Sequence, residues 1–216
     1  MFWVSAEYSE WRVIYCGVYT GLKKKITKDE IRECPVRYFD GPVHVISEHD
    51  DTLRAVESLS KEAFLGFDTE TRPVFRKGLH YLPALLQVAG ERDVYLFQLK
   101  KTGLPDSLRR LLADQGIIKA GVAVSYDLSE LRKISDFTPG GFVELAQLAE
   151  SLGIENRGLR GLAALLMGIR ITKGASTSNW ENSRLTDAQI RYAATDAWVG
   201  RELYKIMTVL KKEKEG

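Results

Sequence analysis

Cysteine is almost absent. Cys16 and Cys34 are the only two in 216 residues, too few and too irregularly placed for a disulfide framework or a zinc site, so both are expected as free thiols in a reducing compartment. Long apolar runs are missing as well. No stretch approaches membrane-spanning length, and Glu7, Glu10 and Arg12 break the N-terminal apolar residues before they form a signal-peptide core. A cytoplasmic protein without a membrane segment is expected. Neither charge dominates: Lys and Arg number 31 against 29 acids, for a net +2. Nucleic-acid binding is neither announced nor excluded by that balance, because a site that concentrates acids lowers the total while basic residues cluster elsewhere. No internal repeat or low-complexity tract occurs. What is present is 44% hydrophobic residues, enough for one well-filled core, in a chain too short for two ordinary domains and a linker.

One stretch stands out. Phe64-Leu65-Gly66-Phe67-Asp68-Thr69-Glu70 reads as a short buried strand ending in two acids. Side chains alternate along a strand, so Asp68 and Glu70 share a face, about 7 Å apart along the chain. Such a pair either caps a strand running out into solvent or holds a divalent cation, whose charge offsets carboxylate repulsion. More acids arriving from elsewhere in the chain would decide it.

Around that strand the pattern is α/β. Residues 1 to 25 have no clean period. Residues 28 to 34 have room for a helical turn, Val43 to Ile46 reads as a strand, and Leu53, Val56 and Leu59 predict a helix over Asp50 to Glu62. After Glu70, proline and glycine bracket a basic loop, Arg72 to Gly78. Ala84 to Val88 and Asp93 to Leu99 then extend an antiparallel meander. Leu104, Leu108, Leu111 and Leu112 place a helix over the sheet before a strand from Ile117 to Val124, the crossover of a parallel pair. Phe142 to Leu145 predicts a short strand, followed by helices near Ala146 to Leu152 and Leu159 to Met167 and a polar loop from Thr172 to Arg184. The last helix begins at a capping-box spacing, Thr186 and Gln189, and runs to the lysines near residue 211.

Two further acids sit at chosen places. Asp127 follows Ser125-Tyr126 at a strand-to-helix junction, where an acid is ordinarily a cap or first-turn residue. Asp196 lies on the alanine-rich last helix, one turn after Tyr192 and on the same face. Burial there without a partner would cost several kcal/mol or force protonation, and a cation shared by all four acids removes that cost. A dimetal carboxylate oxidoreductase would need Glu-x-x-His on paired helices, a pattern this chain does not have.

Taken together, Asp68-Thr69-Glu70, Tyr126-Asp127 and Tyr192-Ala193-Ala194-Thr195-Asp196 resemble the three motifs of the DEDD superfamily of 3′-5′ exonucleases in its tyrosine branch. Arg72-Pro73-Val74-Phe75-Arg76-Lys77-Gly78, Ala84-Leu85-Leu86-Gln87 and Ser178-Asn179-Trp180 resemble most the Werner syndrome-like and ribonuclease D-like members. The match spans about residues 43 to 210 in order, so the set is far more specific than any one motif. The last acid is preceded at five residues by Arg191, where the superfamily's other branch has histidine. His44, His49 and His80 read as ordinary surface or loop residues.

The resemblance implies a ribonuclease H-like fold, a central mixed sheet flanked by helices, and hydrolysis of nucleic acid from its 3′ end, with DNA favoured slightly over RNA. It implies two divalent cations, Mg2+ or Mn2+, with Asp68 bridging both, Glu70 and Asp196 completing one site and Asp127 serving the other. Tyr192 would orient the attacking water; a phenol with a pKa near 10 is a poor general base at neutral pH. Substrate contacts are assigned to Thr69, Arg72, Phe75, Arg76, Lys77, Asn179 and Trp180. The basic loop is either a strand-binding surface or merely solvated, and Trp180 is either a substrate contact or packing. Thr71 stands where some relatives carry an aromatic, which bears on grip of the strand end and not on metal. Residues 41–212 are expected as the exonuclease domain, between an extension over 1–40 of unassigned structure and a tail at 213–216, without the accessory domains of ribonuclease D or the Werner helicase. The alternative is a nucleic-acid-binding module that keeps the fold without cleaving.

Overall fold

A computed structural model describes residues 23–76 and 78–215; the expectations for residues 1–22, Cys16 among them, and for Lys77 lie outside the described residues. The elements are α1 (Lys28–Glu33), β1 (Val43–Ile46), α2 (His49–Leu59), β2 (Phe64–Thr71), β3 (Pro83–Ala89), β4 (Val94–Gln98), α3 (Leu99–Thr102), α4 (Asp106–Ala113), β5 (Ile118–Gly121), α5 (Val124–Ile134), β6 (Phe142–Glu144), α6 (Leu145–Ser151), α7 (Leu159–Leu162), a π-helical turn (Ala163–Met167) and α8 (Asp187–Glu215). The six strands form one sheet in the order β1-β4-β3-β2-β5-β6. β2, β3 and β4 are the antiparallel meander, and β5 and β6 add in parallel beyond β2. The acidic strand is therefore an inner strand of a mixed sheet flanked by helices, the ribonuclease H-like arrangement that the resemblance implies.

Period-two alternation along β2 divides its side chains between two layers. Leu65 and Phe67 enter an apolar core with Ala55 and Leu59 of α2, Leu108 and Leu112 of α4, and Leu131 of α5. Gly66, Asp68 and Glu70 face the other side, where α8 crosses the sheet. The crossing is unusually close: a Cβ on Gly66 would lie 1.9 Å from the carbonyl oxygen of Ala197. The alanines at 193, 194 and 197 are buried under α8 against Leu85, Ala89 and Leu96. Small side chains on both elements thus press the backbone carrying Asp196 onto the strand carrying Asp68.

Three local expectations are corrected. The strand predicted from Ile117 to Val124 ends at Gly121, where a Cβ would meet the Phe67 carbonyl oxygen at 2.4 Å; Ala123 then turns left-handed at φ 62 and the helix starts at Val124. Leu53 is 45% exposed, because α2 buries Thr52, Ala55 and Leu59 instead, the Thr52 hydroxyl being satisfied by the Glu48 carbonyl at 2.9 Å. Leu145 opens α6 and does not end a strand. The capping box of α8 forms as its spacing predicts, with Thr186 N–H donating to Gln189 Oε1 at 3.0 Å and Gln189 N–H to Thr186 Oγ1 at 3.2 Å.

Candidate active site

Asp68 and Glu70 from β2 and Asp196 from α8 converge until one carboxylate oxygen of each lies within 4.8 Å of the others. Among the described residues no ion pair neutralises any of them. Burial, then the charges of Asp196, Glu70 and Asp127, push the Asp68 carboxyl well above the usual carboxylate range. Burial, reinforced by Asp196 and Asp127, raises Glu70 to about 9. Asp196, only 7% exposed, is raised to about 7 by burial, against which a hydrogen bond from the Tyr192 hydroxyl and the charge of Arg160 act.

Asp127 reaches the centre differently. Thr69 lies between the two acids on the strand and so projects to the opposite face, where its hydroxyl donates to Asp127 Oδ1 at 2.8 Å. Asp127 is outside the three-acid cluster, though Asp68 and Glu70 both feel its charge; its own carboxyl is raised to about 6, mainly by burial. It is not the cap of its helix. Glu144, at the end of β6, accepts from Val124 N–H at 3.0 Å and from Ala146 N–H at 3.1 Å, capping α5 and α6 together and leaving Asp127 free to face β2.

Hard oxygen donors, partly or fully buried and mutually repelling, fit a hard divalent cation, which takes carboxylate ligands and replaces the missing neutralising charge. Asp68, Glu70 and Asp196 supply that donor set, with Asp127 adjoining. Tyr192 sits one turn before Asp196, half-buried, its phenol driven above its ordinary value by burial and by the Asp196 and Glu70 charges. It remains protonated and donates.

The remaining sequence candidates separate into two groups. Arg72, Phe75, Arg76 and Asn179 line one hollow of about 390 Å3 with Tyr81. Phe75 is 83% exposed, whereas Arg72 is engaged, paired with Glu181 at 3.0 Å and stacked 4.8 Å over Tyr81. Trp180 is 1% exposed, its ring 6.0 Å from that of Tyr192. Its side chain packs behind the tyrosine and offers no surface to a strand. Thr69 points to Asp127. Two residues near the centre are given no role by the sequence: Glu144, whose double cap depends on a tertiary meeting of β6 and α5, and Gln87, fully buried and directly opposite Asp68 in the β2–β3 register. Strand alternation alone would have placed Gln87 on the acids' face.

A family model described as 3′-5′ exonuclease matches residues 43–211. The chain belongs to the 3′-5′ exonuclease family. This exonuclease domain is 32% identical over 194 residues to the mouse bifunctional 3′-5′ exonuclease/ATP-dependent helicase WRN, covering 85% of this chain and 14% of that one. It is 30% identical to ribonuclease D of Gluconacetobacter diazotrophicus, covering 82% and 45%. The chain thus spans less than half the length of both relatives. In fold it resembles the EXO domain of Aedes aegypti Nibbler, with a TM-score of 0.73 at 22% identity over 83% of this chain and 93% of that domain.

Proposed function

We propose that this exonuclease domain removes nucleotides one at a time from the 3′ end of a nucleic-acid strand, DNA in preference to RNA, with two divalent cations, Mg2+ or Mn2+, as cofactors. The observation that carries the reading is the meeting of Asp68, Glu70 and Asp196 within 4.8 Å, Asp196 buried and the other two partly buried, with no salt bridge to any of them among the described residues. These three would hold one ion, and Asp127 with Asp68 the other. Such ions, when bound, acidify a water and steady the attacking and leaving oxygens of an in-line displacement.

The protein's own groups do the positioning. Tyr192 keeps its proton, so it serves as a hydrogen-bond donor that orients water or a phosphate oxygen and not as a base. The Thr69 hydroxyl fixes the rotamer of Asp127. The hollow lined by Phe75, Arg76 and Asn179 combines an exposed ring with cationic groups, the combination that stacks bases and holds phosphates of single strands.

Oligonucleotides labelled at the 3′ or the 5′ end, incubated with Mg2+ or Mn2+, test this. Stepwise shortening from the 3′ end is expected in wild type. Asp68→Ala should cut the rate by about 10³-fold or more, the several kcal/mol such a centre supplies, while Tyr192→Phe lowers kcat and leaves metal affinity nearly unchanged. No shortening in either metal, or full activity in Asp68→Ala, would overturn the reading; tight binding without products would leave a non-catalytic binding module. Matched DNA and RNA strands in the same assay decide the substrate.

A further inference from the structure

Residues 23–37, which precede the family match, are built into the active-site cleft. The Asn156 side chain brackets the backbone of Ile26, accepting its N–H at 2.8 Å and donating to its carbonyl at 3.2 Å. Lys25 pairs with Glu155 at 2.9 Å. Farther on, Arg170 N–H donates to the Pro35 carbonyl at 2.9 Å and Arg37 N–H to the Arg170 carbonyl at 3.2 Å. Between these two anchorages α1 forms under its own capping box at Thr27 and Glu30. The segment is held against the exonuclease domain at both ends, with α1 lying over the cleft between them.

That placement sets Lys28 and Arg32 of α1 on the wall of a cavity of about 1030 Å3 whose lining also includes Asp68, Tyr192 and Asp196. Arg160, Arg170 and Lys173 contribute to the same lining, so five cations face two acids there. Arg32 alone of the five pairs with an acid among the described residues, Asp29 at 2.6 Å on its own helix. A metal centre gains nothing from cationic neighbours, which repel the ion. A strand whose reacting phosphate lies over the acids, with its other phosphates against the wall, accounts for both signs of charge in one cavity.

We propose that residues 23–37 complete the strand-binding channel of this domain, with Lys28 and Arg32 contacting phosphates of a single nucleic-acid strand opposite Arg160, Arg170 and Lys173. The proposal rests on the exonuclease reading above. Its ligand class is the phosphodiester backbone, and because the contacts are to phosphates they carry no base preference.

Binding of a 3′-fluorescein-labelled single-stranded oligonucleotide, followed by anisotropy from 50 to 200 mM salt, separates the possibilities. In Lys28→Ala/Arg32→Ala the slope of log K against log salt should flatten by about 0.7 for each lost contact, about 1.4 for the pair. KM for the oligonucleotide should rise by a larger factor than kcat falls. Lys28→Arg/Arg32→Lys, which keeps the charges, should restore the slope. Unchanged slope and affinity in a double alanine variant that melts like wild type would overturn the channel, and so would failure of the charge-preserving pair to restore binding. A wild type that binds and never hydrolyses would sink the exonuclease reading alone, because the anisotropy measurement needs no turnover.

Discussion

Asp196 occupies a site that a neutral side chain would fill at lower cost in the absence of metal. Its carboxyl is raised from 3.8 to about 7, chiefly by burial, and a raised acid contributes stability below its unfolded pKa that is lost as pH climbs through the folded one. In EDTA, Asp196→Asn should therefore melt close to wild type below about pH 4 and increasingly above it as pH rises to 8, by about 3 °C or more, each kcal/mol being worth roughly 2–4 °C at this size. With Mn2+ at pH 8 the order should reverse, since only wild type keeps the full ligand set. A melting difference independent of pH would remove burial of a charge as the cause. Thr69→Val tests the other approach to the centre. It deletes the hydrogen bond to Asp127 and should lower kcat by about 10- to 100-fold, as loss of a group orienting a ligand does, with little change in melting temperature. An equal rate in Thr69→Val would mean that Asp127 holds its place unaided. The acids were nominated by the sequence as a set, through the motifs that resemble a known family, since Asp68 and Glu70 at a strand end and Asp196 on an alanine-rich helix each have an ordinary explanation alone. The duty of Thr69 was not legible: which hydroxyl meets which carboxylate depends on where β2 and α5 come together.

The joint between β2 and α8 is the element on which the site depends. Gly66 allows the helix backbone to touch the strand at Ala197, with Asp68 two residues from that contact on the strand and Asp196 adjacent to it on the helix. Gly66→Ala should destabilise the domain by about 1–3 kcal/mol, the usual cost of overpacking a tight interior. It should also reduce activity more than a surface variant of equal stability, because any relief moves Asp196 away from Asp68. Differential scanning calorimetry paired with the 3′-end assay checks both parts; full activity with lowered stability would show that the acids tolerate a shifted helix. α8 itself was readable in advance from Thr186, Gln189 and the small residues on its inner face. The end of β5 was not, since an apolar run does not reveal that Gly121 is pressed against the Phe67 carbonyl and that Ala123 turns left-handed.

Across the described residues, one sheet separates two kinds of layer. On one face α2, α4 and α5 cover an apolar core; on the other α8 packs two clusters, one with α6 and the π-helical turn and one against β3 and β4 that reaches Tyr192. β3 and β4 contribute side chains to the cores on both faces, so unfolding should be a single transition, and metal bound at the centre should raise its midpoint. Addition of Mn2+ to metal-free protein at pH 8 is expected to shift the midpoint upward in proportion to log concentration above Kd, whereas Asp68→Ala should show almost no shift. Two separated transitions, or an equal shift in the variant, would contradict this account. The sequence by itself determined the order of most strands and helices, because periodicity and capping are local properties of the chain, and it nominated the four acids and the tyrosine through the motifs that resemble a known family. Only the tertiary structure decided that Asp127 is reached through Thr69, that Trp180 is core, and that α1 lines the cleft. Those outcomes depend on contacts between residues far apart in the chain, and no local pattern specifies which distant backbone will lie alongside another.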